Sequence, residues 1–279
     1  MKTLIVGGTS ALGRALAPVL AGSGDVLTAG RQHCDIAMDL TEPDDRIVLP
    51  PDLDAVVHTA AHFGGRTAAD YVAAEDVNCM GTLKVCVAAA RASARHLVLI
   101  SSQSASLTAG SEYFGIYALS KRHAEEVARL FCLENGLPLT ILRPTQIYGN
   151  GDSFRPHQPF LHTMIDKARA GEDIAIFGSH DPRRNYIHVD DLTAVIGRVI
   201  RDRVEGTFSC AYQTDMTYSQ IAVAAYQAFN TQGRVRFLAD KPDIPDNVFE
   251  SDNTLYERLD WSPRLNMLEG LRAIARDLR

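Results

Sequence analysis

Tyr117 and Lys121 stand four residues apart in a segment with helical spacing, which puts a phenol and an ammonium one turn apart on one face. A free phenol titrates near pH ~10 and a neighbouring cation favours its ionised form, so the pair is suited to moving a proton near neutral pH. The spacing alone is equally that of an ordinary helix surface. Ser101-Ser102 follow the apolar run Leu97 to Ile100, at the carboxyl edge where open α/β sheets hold their ligands. Near the start, Gly7 and Gly13 bracket Thr9, Ser10 and Leu12 between an apolar run and a helical pattern. Such a turn offers backbone N–H groups and a positive helix end to a diphosphate, although glycine turns also serve plain packing. Ser10 takes the place of a middle glycine, and its hydroxyl is expected to donate to a phosphate oxygen. After the second apolar run, where an NAD-type fold carries an acid for the ribose hydroxyls, the chain has Gly30-Arg31. A guanidinium there fits a ribose 2'-phosphate, the alternative being a solvated loop arginine. Asp35 would restore NAD selection if its loop turned the carboxylate inward.

These groups need a frame. Thr3 to Val6, Val26 to Ala29, Ala55 to His58, Leu97 to Ile100 and Leu139 to Leu142 read as short strands, apolar on both faces as in a parallel sheet covered by helices. Helical patterns fill the intervals, with Tyr71 to Arg91 and Tyr117 to Asn135 the longest, and Gly136 with Pro138 ends the second. Alternating strands and helices imply an α/β fold, a doubly wound parallel Rossmann sheet. After Pro144 the alternation decays. The expected organisation is a dinucleotide-binding domain over 1–150, with 186–212 returning to it through a helix at Val189 to Val199. A smaller C-terminal substrate-binding lobe would hold 151–185 and 213–279, including helices at Ser219 to Phe229 and Leu268 to Leu278.

The chain has 279 residues, 46% apolar and 22% charged, a composition that folds rather than one that stays disordered. With 28 Lys and Arg against 34 Asp and Glu, the net charge of -6 provides no basic field, so nucleic acid is not an expected partner. No apolar run suits a bilayer span, and Met1 to Val6 is too short for a secretion-signal core, so a cytoplasmic protein is expected. Five cysteines without a Cys-x-x-Cys pair suit free thiols, with Cys79 and Cys86 expected on one buried helix face. His58 and His62 are four apart, but His58 ends a strand-like run, and no metal site is expected.

Gly7 to Gly13, Asp39-Leu40, His58-Thr59-Ala60-Ala61, Asn78 with Gly81-Thr82, Ser101-Ser102, Tyr117 to Lys121, and Leu142-Arg143-Pro144 with Tyr148-Gly149 occur in a fixed order. Arg184 to Leu192 continues the set, and Leu259-Asp260-Trp261-Ser262-Pro263 extends it faintly. Together they resemble the extended short-chain dehydrogenase/reductase family, also called the NAD-dependent epimerase/dehydratase family, over nearly the whole chain. The resemblance implies a catalytic trio in which Tyr117 exchanges the proton, Lys121 lowers its pKa and holds the nicotinamide ribose, and Ser102 hydrogen-bonds the reacting oxygen. It implies that Asp39 and Leu40 flank the adenine and that Thr59, Ala60, Ala61, Asn78, Pro144 and Ile147 line the cofactor site. Arg184 would grip a nucleotide-sugar diphosphate, and Gln103, Ser104 and Gln146 would face the substrate.

Three departures from the family pattern carry weight. Ser10 replaces a glycine. Gln103-Ser104 stand where the family's dehydratases have an Asp-Glu pair, and loss of water needs an acid and a base there, so dehydration is disfavoured. Gln146 stands where many of its epimerases have Asn. The resulting expectation is an NAD(P)-dependent oxidoreductase, NADP preferred, reducing a 4-keto nucleotide sugar. A nucleotide-sugar epimerase with retained NAD and a non-catalytic NADP-binding redox sensor are the alternatives. A homodimer is expected by the same resemblance.

Overall fold

The computed structural model describes residues 1–250 and 252–278. In chain order its first elements are β1 (Lys2–Val6), α1 (Ala11–Ala21), β2 (Asp25–Gly30), β3 (Ile36–Ala37), β4 (Ala55–His58), α2 (Ala68–Ala74) and α3 (Gly81–Arg91). β5 (Leu97–Ile100), α4 (Ile116–Asn135), β6 (Leu139–Pro144), β7 (Gln146–Tyr148), α5 (Pro159–Ala170), β8 (Ile174–Phe177), β9 (Arg183–Arg184) and β10 (Tyr186–His188) follow. α6 (Val189–Asp202), β11 (Gly206–Cys210), β12 (Met216–Thr217), α7 (Tyr218–Phe229), β13 (Val235–Leu238), α8 (Thr254–Arg258) and α9 (Met267–Asp277) complete the set. Two compact units result, one of Met1–Pro144 with Thr193–Ser209, the other of Thr145–Leu192 with Cys210–Arg279.

The first unit is built on a seven-stranded sheet in the order β11-β6-β5-β4-β1-β2-β3. β2, β1, β4, β5 and β6 run parallel, as helical crossovers require. Because the strand order reverses between β1 and β4, the loops after these strands diverge and open a crevice at their carboxyl ends. Leu4, Val6, Val56, Leu97, Leu99 and Ile141 of the sheet pack against Val85, Ala89 and Ala128 of α3 and α4 in one apolar core. β4 and β5 are buried throughout, but β2 is largely half-exposed, since only the two-residue β3 lies beyond it. The two edge strands β3 and β11 are too short or too polar to register as apolar runs.

The helix expected over Tyr71 to Arg91 is not continuous. A π-turn, Glu75–Met80, separates α2 from α3, and such an inserted turn shifts the helical phase. Cys86 consequently lies in the core beside Cys132 while Cys79 is only half-buried, so the expected shared face does not form. α4 stops at Gly136, whose φ of +62° is the left-handed turn that closes a helix end.

Among its described residues the second unit holds three small sheets, β7 with β10, β8 with β13, and β9 with β12. Its core gathers Tyr148, Leu161, Met164, Ile221, Leu271 and Ile274. The chain re-enters the first unit at Thr193 rather than at residue 186, because β10 pairs with β7. No helix among the described residues is long and apolar enough to cross a membrane.

Candidate active site

The glycine turn closes β1 onto α1. Gly7 has φ +90°, and a Cβ there would come within 2.5 Å of the Ala60 amide nitrogen, while one at Gly13 would meet the Gly7 carbonyl at 2.3 Å. Only glycine lets the β1 and β4 ends and the helix start approach this closely. Ser10 caps α1, its Oγ accepting from the Gly13 amide at 2.9 Å. That hydroxyl also lies 3.0 Å from Thr59 Oγ1, and Thr59 donates its own proton to the carbonyls of Val6 and Gly7 at 3.1 and 3.0 Å. Within the turn, the Ser10 hydroxyl is thus shared between the Gly13 amide and Thr59. The Arg14 amide bonds Ser10 O, so the amides of Ala11 and Leu12 are the ones that the helix start leaves open to an anion. This cradle fits a dinucleotide diphosphate.

Along the sheet edge, Asp35 turns its carboxylate onto β2, accepting from Thr28 N and Thr28 Oγ1, both at 2.8 Å. The Thr28 bonds hold its carboxyl below the usual range. One oxygen of this acid is held by its own strand, and Arg31 is the exposed charged group directly after β2. Asp39 accepts from Thr41 N and Oγ1 at 3.0 and 2.8 Å; these bonds, aided by the Arg31 charge, lower its pKa. Leu40 is buried, with its carbonyl and that of Glu42 each 2.8 Å from Lys84 Nζ.

At the β5 end, Ser102 caps a short 3-10 turn and hydrogen-bonds the Tyr117 phenol. Lys121 is buried and donates to the Ile100 carbonyl at 2.9 Å, so strand and helix fix the three side chains together. The electrostatics differ from the sequence expectation. Burial pushes the Tyr117 phenol up to about 12, with the Ser102 bond opposing it, so Tyr117 keeps its proton at neutral pH. The Lys121 ammonium is itself desolvated and is drawn down to about 8, partly offset by the Glu125 charge. The result is a protonated phenol beside an ammonium that titrates near neutrality.

Glu125, one turn beyond Lys121, is fully buried and was not singled out from the sequence. It accepts from Ser101 Oγ at 2.5 Å, from Arg143 Nε and Nη2 at 2.8 and 2.5 Å, and from Arg129 Nη2 at 2.5 Å. One carboxylate thus ties α4, the β5 end and β6 together. The continuation of the Tyr-Lys spacing to an acid at i+4 was its available signal. Asn78, in the π-turn, grips both backbone groups of His62 and the Ser120 hydroxyl. His58 is buried on Thr82, and desolvation with the Lys121 charge keeps it neutral, its pKa near 3.

Gln103 is buried and its amide donates to Ser209 of β11, an internal tie between strand ends. Ser104 bonds Ser102 Oγ through its amide at 3.1 Å. Pro144 ends β6 and is buried. In the second unit, Ile147 and Gln146 lie on β7, and Gln146 Oε1 is buried with no hydrogen-bond partner. Arg184 is buried rather than presented from a polar loop. Its Nη1 donates to the Arg183 and Pro245 carbonyls, both at 2.8 Å, and its guanidinium stacks 4.8 Å from the Tyr218 ring centre. Part of its donor fork is therefore already committed to the fold.

A parallel doubly wound sheet, a glycine cradle at its first helix and a Ser-Tyr-Lys trio at the β5 edge define a dinucleotide-dependent class of protein. Residues 3–211 match the NAD dependent epimerase/dehydratase family, and the chain belongs to it. Among characterised relatives it is similar to the dTDP-4-dehydro-6-deoxy-D-allose reductase of Streptomyces bikiniensis, 28% identical over 165 residues, covering 58% of this chain and 50% of that protein. The chain spans about half the length of the curated relatives it first matches. Among solved structures it resembles RMD from Pseudomonas aeruginosa complexed with NADPH, at 20% identity and TM-score 0.80, covering 99% and 98% of the two chains. It also resembles the UDP-N-acetylglucosamine 4-epimerase of Bacillus cereus, at 20% identity and TM-score 0.79, covering 100% and 96%. These two likenesses describe the fold.

Proposed function

We propose that the protein is an NADP(H)-dependent reductase of a 4-keto nucleotide sugar. The arrangement at the β5 end carries this reading: Ser102 bonds the Tyr117 phenol, Lys121 is fixed on the Ile100 carbonyl, and burial raises the phenol. A phenol that keeps its proton at neutral pH serves as a general acid toward a carbonyl oxygen, the role a reductase needs. NADPH, when bound, supplies the hydride to the carbonyl carbon. Ser102 hydrogen-bonds the carbonyl oxygen, Tyr117 delivers its proton to that oxygen, and the Lys121 ammonium stabilises the phenolate left behind. The Ala11 and Leu12 amides would hold the cofactor diphosphate, with Asp39, Leu40, Thr59, Ala60 and Ala61 around its adenosine half. The similarity to a 4-keto-6-deoxy-sugar reductase supports the same direction of reaction. A homodimer in the cytoplasm remains part of the proposal.

The test is direct. Purified protein with NADPH and an NDP-4-keto sugar should oxidise the cofactor and form one alcohol epimer. The same protein with NDP-glucose should yield no 4-keto-6-deoxy product by NMR, because Gln103 and Ser104 provide no carboxylate for elimination. Appearance of that product would move the protein among the dehydratases. Interconversion of two NDP-sugar epimers on a retained cofactor would make it an epimerase.

Cofactor preference follows from Arg31. Asp35 spends its Oδ2 on Thr28, while Arg31 can donate two parallel bonds to a 2'-phosphate. NADP(H) should bind about tenfold more tightly than NAD(H), the gain being limited by solvent screening. Titration of wild type and Arg31→Ala with both cofactors checks this. Equal NADP(H) affinity in the two proteins would leave Arg31 a solvated loop residue.

A further inference from the structure

Ser102 and Tyr117 meet from different elements, Ser102 from the turn after β5 and Tyr117 from the first turn of α4. The chain between them runs out through an exposed stretch, Thr108 to Gly110, before it returns to the helix. A hydrogen bond between groups joined in this way needs the turn held at a fixed distance from α4. Consecutive side chains of α4 hold it. Lys121 donates to the Ile100 carbonyl at 2.9 Å, just before Ser102. Arg122, about 100° further around the helix, grips the chain just after Ser102, its Nε donating to the Ala105 carbonyl at 2.9 Å and its Nη2 to the Leu107 carbonyl. The guanidinium also faces the Phe114 ring at 5.8 Å, on the segment that leads back to Tyr117. The turn itself is closed by Ala105 N on Ser102 O and Leu107 N on Ser104 O, both at 3.0 Å, and Ser102 Oγ accepts from Ser104 N at 3.1 Å. The Ser102 hydroxyl therefore moves with this turn. Carbonyls at the end of a helical turn have no partner within it, and a planar fork of donors can take two of them at once.

We propose that Arg122 is a positioning residue for proton transfer: by fixing the far end of the Ser102 turn to α4, it holds the Ser102 hydroxyl against the Tyr117 phenol. The proposal rests on Ser102 and Tyr117 being the pair that meets the reacting oxygen. Lys121 anchors only the Ile100 end, and without Arg122 the turn would pivot about that anchor. The bonds of Arg122 go to backbone carbonyls and a ring, so its effect reaches the reaction through Ser102. A catalytic group displaced by about 1 Å loses up to about 100-fold in rate, so loss of the brace should lower kcat by about 10- to 100-fold. KM and NADPH affinity should stay close to wild type, because the hydroxyl acts on charge that develops only as the carbonyl is reduced.

The experiment is a double-mutant cycle between Arg122→Met and Ser102→Ala, read as kcat with NADPH and a dTDP-4-keto-6-deoxyhexose. Ser102→Ala alone should lower kcat by about 10²-fold or more, and Arg122→Met alone by about 10- to 100-fold. In the Ser102→Ala background, Arg122→Met should lower it less than about twofold, because the hydroxyl it positions is gone. Losses that multiply overturn the proposal, as does an Arg122→Met enzyme with wild-type kcat. Hydrogen exchange of the free protein adds a readout that needs no substrate. In Arg122→Met the amides of residues 103–107 should exchange at least about tenfold faster while those of β5 keep their wild-type rate, and unchanged exchange at 103–107 overturns the brace. Should Arg122→Met fail to bind NADPH, Arg122→Lys takes its place in both measurements, since an ammonium keeps a donor but does not span both carbonyls. Failure of wild type to reduce the ketone defeats the reductase reading alone; the cycle is then read on epimerisation of UDP-glucose at C4, which uses the same pair. Absence of both activities, or wild-type kcat in Ser102→Ala, defeats the proposal with the reading it rests on.

Discussion

Tyr117→Phe is expected to lower kcat by about 10²- to 10⁴-fold while leaving NADPH affinity nearly intact, because the hydroxyl matters only when a proton moves. Removal of one oxygen keeps the ring that stacks on Phe63, so the helix start should hold its shape. Lys121 sets the pH dependence. Its ammonium, drawn down to about 8 by burial, is charged below that pH and lost above it. The reductive rate should therefore hold through neutrality and fall as pH rises through about 8, long before Tyr117 itself ionises near 12. Lys121→Met should abolish this alkaline limb along with most activity. The same depressed pKa has a stability consequence of opposite sense. Between about 8 and the ordinary lysine value of 10.5, the folded chain binds fewer protons at this site than the unfolded chain, so this residue favours folding more as pH rises through that window. A Phe variant with wild-type turnover on an identified ketone would remove Tyr117 from the mechanism.

The parallel sheet was legible because β4, β5 and β6 are continuous apolar runs, a pattern that follows from burial on both faces. The edge strands were not. β3 has two residues and β11 begins Gly-Thr, and each is placed by the neighbour it pairs with rather than by its own pattern. The π-turn at Glu75–Met80 was equally hidden, since its apolar spacing imitates a continuous helix, and the bonds Asn78 makes from it to His62 and Ser120 are tertiary.

Within the site, the residue types and order identified Ser102, Tyr117 and Lys121, but hydrogen-bond direction and burial could not be read from them. Ser10 and Gln103 each have a local partner, Thr59 and Ser209, that the sequence did not reveal. A polar side chain near a site satisfies whichever partner costs least to reach, and that is decided by distances across elements far apart in sequence. The burial of Tyr117 was illegible for a related reason: spacing reveals the neighbouring cation but not the desolvation that raises the phenol.

The second large effect is expected at Glu125. Its carboxylate has no solvent exposure and holds Ser101, Arg129 and Arg143 at 2.5–2.8 Å, whereas the two arginine side chains are 42% and 26% exposed. Glu125→Ala would leave a cavity and two cations without their counter-ion. Removing one partner of a buried pair costs about 3–5 kcal/mol, and the partial exposure of both arginines puts this case near ~3 kcal/mol. At roughly 2–4 °C per kcal/mol, Tm should fall by about 6–12 °C. Glu125→Gln is the more informative change, since it keeps the shape and a hydrogen bond to Ser101 while removing the charge. The Glu125 charge raises the Lys121 pKa against the burial that lowers it. Without that charge the ammonium is easier to deprotonate, and the alkaline limb of the rate profile should move below pH 8. Glu125→Asp, which retains charge but withdraws the carboxylate by one methylene, should leave the limb close to its wild-type position despite some loss of stability. A Gln variant whose limb coincides with that of wild type would reduce Glu125 to a purely structural tie, whatever its effect on Tm.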